Sequence, residues 1–84
     1  MMYPFLTMND HTEIVYSHLL DGGGVKIYVE KPDEYDGFHH AACFLPGCRW
    51  EDIVGFSDAE IQEYQNVIES SAEQIMRLAA SSKG

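Results

Sequence analysis

Four residues close together in the chain carry the most chemical potential: His39-His40-x-x-Cys43-x4-Cys48. Imidazole and thiolate are the protein ligands that zinc prefers. In an extended strand His39 and Cys43 share a face but stand about 13 Å apart. Donors around a tetrahedral zinc lie within roughly 4 Å of one another, given bonds of about 2.0 to 2.3 Å. A zinc site would therefore need residues 39–48 to fold into a knuckle, and no second Cys-x-x-Cys pair fixes one. The plainer reading is a strand with the two histidines on opposite faces. The same residues also offer a Cys–His nucleophilic pair, with Cys48 in a turn and His39 or His40 approaching from the neighbouring strand. That chemistry further needs an orienting group, oxyanion donors and a pocket, and Arg49 is the only evident thiolate stabiliser. The alternative reading of function is a metal-site or thiol-dependent protein built on these four residues, or a structural homodimer. The leading reading assigns no catalytic residue, no metal and no cofactor.

Two other groups suggest chemistry and are explained more simply. Gly22-Gly23-Gly24 has neither the GxGxxG nor the GxxxxGK[ST] spacing of phosphate loops, and a strand pattern follows it. A glycine-rich hairpin turn accounts for it. Carboxylates cluster at Asp33, Glu34 and Asp36 and again at Glu51-Asp52, without the alternating ligands, central glycine and closing glutamate of a calcium loop. They read as solvated turns. On the C-terminal helix Glu69 and Glu73 repel at i,i+4, while Glu73 and Arg77 attract.

These groups must be positioned by a small acidic chain. It has 84 residues, with fourteen acids against five bases for a formal charge of −9. That size suits one domain, 1–84. Hydrophobic content of 45% and aromatic content of 12% argue for a packed core rather than disorder. The negative balance argues against direct binding to nucleic acid or anionic membrane, because phosphate surfaces favour Lys and Arg. It favours solubility and, where there is a charged partner, a basic protein. No apolar run reaches the roughly 18 residues of a membrane span. No basic n-region with an apolar h-region opens the sequence, and two cysteines are too few for a disulfide framework. A cytoplasmic protein with free thiols is expected.

Residues 1–11 read as a lead-in or edge strand, and 12–20 as a strand rich in Ile14, Val15, Tyr16, Leu19 and Leu20. Residues 25–31 alternate, with Val25, Ile27 and Val29 on one face. Residues 38–45 make a third strand that ends at Pro46-Gly47. The helix over 57–80 opens on a Ser57-x-x-Glu60 capping box with a Phe56/Ile61 staple. Its apolar stripe runs through Ile61, Tyr64, Ile68, Ala72, Ile75 and Leu78 or Ala79. The expected fold is α+β and two-layered: a three-stranded antiparallel sheet over 12–45, in the order β-β-β-α, with one long helix on one face. Trp50 is expected to plug the end of the two layers, with an interface anchor as the other possibility.

Gly37-Phe38-x6-Leu45-Pro46-Gly47-Cys48 resembles the HicB family of antitoxins, which carry a Gly-aromatic strand running into a Leu-Pro-Gly-Cys turn and then a Glu-rich helix. Where that family has Gly-Asp-Thr after the cysteine, this chain has Arg49-Trp50-Glu51-Asp52-Ile53-Val54. Gly55-Phe56-Ser57-x-x-Glu60-Ile61, with Thr12-Glu13-Ile14-Val15 upstream, is also similar to small acidic bacterial proteins without assigned activity. The HicB resemblance implies binding of a small basic toxin through the acidic surface, without catalysis. The sequence reading is therefore a non-enzymatic protein-binding or regulatory module. Its candidate partner-binding residues are Asp33, Glu34, Asp36, Glu51, Asp52, Glu63, Glu69, Glu73 and Trp50. Dimerisation through an edge strand or the helix is expected, because the edges of so small a sheet are unpaired.

Overall fold

The computed structural model describes residues 2–8, 11–33 and 37–81. The chain is α+β, with an antiparallel sheet backed by helices. The sheet has five strands rather than three: β1 (Met2–Thr7), β2 (Glu13–Ser17), β3 (Val25–Asp33), β4 (Gly37–Leu45) and β5 (Arg49–Val54). They pair in simple sequential order as a meander. Two helices follow, α1 (Asp58–Ser70) and α2 (Ala72–Ser81).

Alternation fixes the sheet's orientation. Ile14 and Tyr16 of β2, Val25, Ile27 and Val29 of β3, and Ala41, Cys43 and Leu45 of β4 are all buried. Tyr64 and Ile68 of α1 and Ile75 and Ala79 of α2 join these aliphatic side chains in one cluster. Register matches the pattern, with Ile14 opposite Val29 and Ile27 opposite Cys43. A slip of one residue would move every one of these side chains to the outer face.

The two strands added to the expected three lie at the edges, and each carries one extra residue. On β1, Pro4 opposes Val15 and Leu6 opposes Ile14, so Phe5 is inserted. On β5, Glu51 opposes Ala42 and Val54 opposes His40, and Asp52 takes a positive φ of 55°. These bulges are why residues 49–54 do not read as a strand: the insertion breaks the period of two, and only Trp50 of the six is not exposed.

The long helix divides at Ser71. The expected capping box is present: the Glu60 backbone N–H donates to Ser57 Oγ at 3.2 Å, and the Ser57 N–H donates to Glu60 Oε1 at 2.9 Å. The Ser70 hydroxyl then donates to the Val67 carbonyl at 2.9 Å, competing with the helical ladder, and Ser71 caps α1 at φ −111°. The apolar stripe continues across the break. Ala79 rather than Leu78 turns inward, and Leu78 stays exposed.

Candidate functional site

The β4–β5 hairpin, with the flank of α1 behind it, gathers most of the residues that can do chemistry. Leu45-Pro46-Gly47-Cys48 turns the chain, and Gly47 and Cys48 adopt φ of 93° and 48°. Phe44 opposes Arg49 and Cys43 opposes Trp50. Cys43, Leu45, Cys48 and Trp50 therefore lie against the helices, while Phe44 and Arg49 face outward. Trp50 is half-buried, and its indole Nε1–H donates to Gln65 Oε1 of α1 at 3.0 Å. The amide of Gln65 reaches Glu69 Oε1 at 3.5 Å. This chain ties an edge strand to a helix, so Trp50 acts as the plug between the layers.

Cys43 and Cys48 are both free, both buried, and their Sγ atoms lie 3.6 Å apart. Burial pushes both thiols above their ordinary value of 9.0, with Glu69 adding to each rise. The pair itself divides the effect. Cys48 raises Cys43 further, whereas the contact between the two thiols partly offsets the rise at Cys48.

The two histidines stand apart from these thiols and from each other. His39 packs edge-on against Phe56, with ring centroids 5.7 Å apart, and Phe56 meets Tyr64 at 5.1 Å. Gly55, at φ +90°, lies so close on the His39 ring that no side chain fits there. His40 is on the outer face, opposite Glu30 and beside a depression of about 350 Å³ with Met2 and Tyr28. A second hollow of about 330 Å³ borders it at His11, Glu13, Glu30 and Pro32. Among the described residues no three His, Cys, Asp or Glu side chains come close enough to hold a metal ion. Nor is Cys48 an exposed turn thiol beside an imidazole. It is buried, and its neighbour is Cys43.

The candidate partner-binding acids do not form one patch. Glu51 and Asp52 are exposed on β5, and both help to hold the Lys26 ammonium above its ordinary value, after a hydrogen bond with Tyr28. Glu69 lies on the flank of α1 nearest Trp50. Glu63, six positions earlier, points roughly 120° away around the axis. Glu73 is exposed on α2 and pairs with Arg77 at 2.8 Å. Asp33 ends β3 at the pairing with Gly37, and Glu34 and Asp36 lie outside the described residues. The structure thus places Glu51, Asp52 and Trp50 on the edge strand and links Glu69 to Trp50 through Gln65, with Glu63 and Glu73 apart from them.

Sequence reasoning missed the outer sheet face. There Lys26 Nζ stands 4.6 Å from the centroid of Tyr28 and 5.6 Å from that of Phe44, and Arg49 lies 5.4 Å above Phe44. The cations lie over the aromatic rings and cover part of that face. The alternation of Lys26, Tyr28 and Glu30 was the available signal. No protein-family model, curated protein or solved structure matches the chain. No helix among the described residues is long and apolar enough to cross a membrane.

Proposed function

We propose that the chain is a non-enzymatic protein-binding module that takes a basic, extended segment of a partner as an added strand on β5. The observation that carries this is the outer edge of β5. The strand has one sheet neighbour, β4. It exposes Glu51 and Asp52 together with Ile53 and Val54, which are 44% and 49% accessible. Main-chain hydrogen bonds supply affinity in strand addition, and side chains supply choice. Here the acids select Lys or Arg, and the two aliphatic residues select an apolar side chain between them. The bulge at Asp52 limits pairing to a short stretch, so binding is weak and salt-sensitive. The resemblance to HicB antitoxins fits this reading, with a small basic toxin as the partner.

Calorimetric titration with a peptide of alternating lysine and valine tests the proposal. The parent protein binds it, and raising the salt from low to physiological weakens binding. The double substitution Glu51→Lys, Asp52→Lys weakens it by about tenfold or more, equivalent to about 1.4 kcal/mol. Equal binding by the double variant overturns the proposal. So does the absence of binding from a protein that associates only with itself, an outcome that would make the edge a homodimer contact.

A further inference from the structure

Cys43 and Cys48 take no part in strand addition, yet the hairpin sets them against each other. Cys43 opposes Trp50 in the register, so Cys48, two residues before Trp50, is the diagonal neighbour of Cys43 on the helix-facing side. Their sulfurs are 3.6 Å apart. A disulfide needs about 2.05 Å, so each sulfur has to move by less than about 1 Å. At φ 48° the turn would suit Gly or Asn, and the cysteine in that place sets its sulfur against Cys43. No third ligand stands near enough among the described residues to make the pair a metal centre.

We propose that Cys43 and Cys48 are a dithiol–disulfide couple, closed by exchange with a low-molecular-weight disulfide and preferentially with a cationic one. Cys48 attacks first. It borders the exposed Pro46-Gly47 turn, whereas Cys43 lies within β4 and is fully buried. Its sulfur displaces one thiolate from the small disulfide and forms a mixed disulfide, and the departing thiolate takes up a proton. Cys43 then gives up its proton and attacks the Cys48 sulfur, expelling the second small thiol. Two protein thiols are oxidised and one disulfide is reduced to two thiols. Selectivity for a cation comes from Glu69, which Gln65 links to Trp50 opposite Cys43, and from the overall charge of −9. Burial of both thiols makes the exchange slow near neutral pH and faster as pH rises. The couple operates whether or not β5 holds a partner.

The test incubates the folded protein with cystamine, and separately with glutathione disulfide, at equal concentration. With cystamine the expected product is a monomer lighter by two hydrogens, carrying no adduct and no longer alkylated by iodoacetamide. Glutathione disulfide gives the same product more slowly, and added salt narrows the difference. Cys43→Ser stops at a Cys48 adduct, and Cys48→Ser leaves Cys43 unmodified. Three outcomes overturn the proposal: a parent protein that keeps both thiols when folded but loses them in urea, a stable mixed disulfide on the parent, and covalent dimers. Faster reaction with glutathione disulfide overturns the cation preference, and equally fast adduct formation on the two serine variants overturns the order of attack. Because the parent's mass alone decides whether the bridge forms, a variant that fails to fold does not remove the test.

Discussion

The two edges of the sheet meet the same problem and handle it differently. A strand with one neighbour exposes unpaired N–H and C=O groups that invite further pairing. Both β1 and β5 insert one bulged residue. On β1 this comes with Pro4, which has no N–H to donate, and with Tyr3 and Phe5 turned onto Tyr16 at centroid distances of 5.5 and 6.5 Å. That edge carries no charged residue. On β5 every residue keeps its N–H, the exposed side chains include Arg49, Glu51 and Asp52, and Trp50 ties the strand to α1 through Gln65. One edge is closed by backbone chemistry and aromatic packing. The other is guarded mainly by charge, and a charge of opposite sign removes that guard.

The largest expected effect does not distinguish the edges and so sets the baseline. Ile68 is fully buried beneath the sheet. Ile68→Ala should cost about 2 to 5 kcal/mol in urea denaturation, and hydrogen-exchange protection should fall in β1 and β5 alike. Protection lost at one edge alone would mean that the core does not support both.

Trp50→Ala should cost about 2 to 3 kcal/mol, combining lost burial with the lost bond to Gln65. Protection should then fall in β5 while β1 keeps its own. Equal loss at both edges would show that Trp50 belongs to the general core and is not an anchor of β5.

A pH series examines the thiols behind β5. Both have folded values raised above the ordinary 9.0. At pH above that value the unfolded chain has released thiol protons that the folded chain retains, so stability falls as pH rises. The contribution is fully present below about 9 and is lost as pH climbs towards the raised folded values. Cys43→Ala, Cys48→Ala should flatten this decline on the alkaline limb relative to the parent. An unchanged slope would mean that the thiols are not desolvated.

The smallest effect is on β1. Pro4→Val restores an N–H to that edge and should change stability by about 0.5 kcal/mol or less, as for other exposed edge positions. It should nevertheless increase concentration-dependent association in sedimentation velocity. Association equal to that of the parent would mean that Pro4 does not close the edge.

The legible parts of the fold were those where local chemistry and tertiary role agree. Val25, Ile27 and Val29 alternate because one side of β3 is buried, and Ser57 with Glu60 marks the helix start because both capping bonds form locally. The strand β5 was not legible, because its inserted residue breaks the alternation and its exposed side chains carry no apolar period. The division of the helix falls at Ser71, where φ is −111° while the apolar spacing runs on unbroken, so spacing does not reveal it. For the site, the four chemistry-bearing residues His39, His40, Cys43 and Cys48 are adjacent in sequence but distributed by the pleat. Strand geometry puts His40 on the face opposite Cys43, and the Pro46-Gly47 turn, readable as a turn, folds Cys48 back onto Cys43. The acids at Glu51 and Asp52 were identifiable as exposed. The link from Trp50 to Glu69 runs through Gln65, a bonded path between strand and helix that sequence spacing does not show.

Amide hydrogen exchange on the parent protein, with and without a saturating lysine–valine peptide, tests strand addition most directly. With the peptide bound, N–H groups within Arg49–Val54 should become slower to exchange, while those of Met2–Thr7 stay unchanged. Protection appearing on β1, or binding that leaves the β5 amides at their free rates, would contradict it.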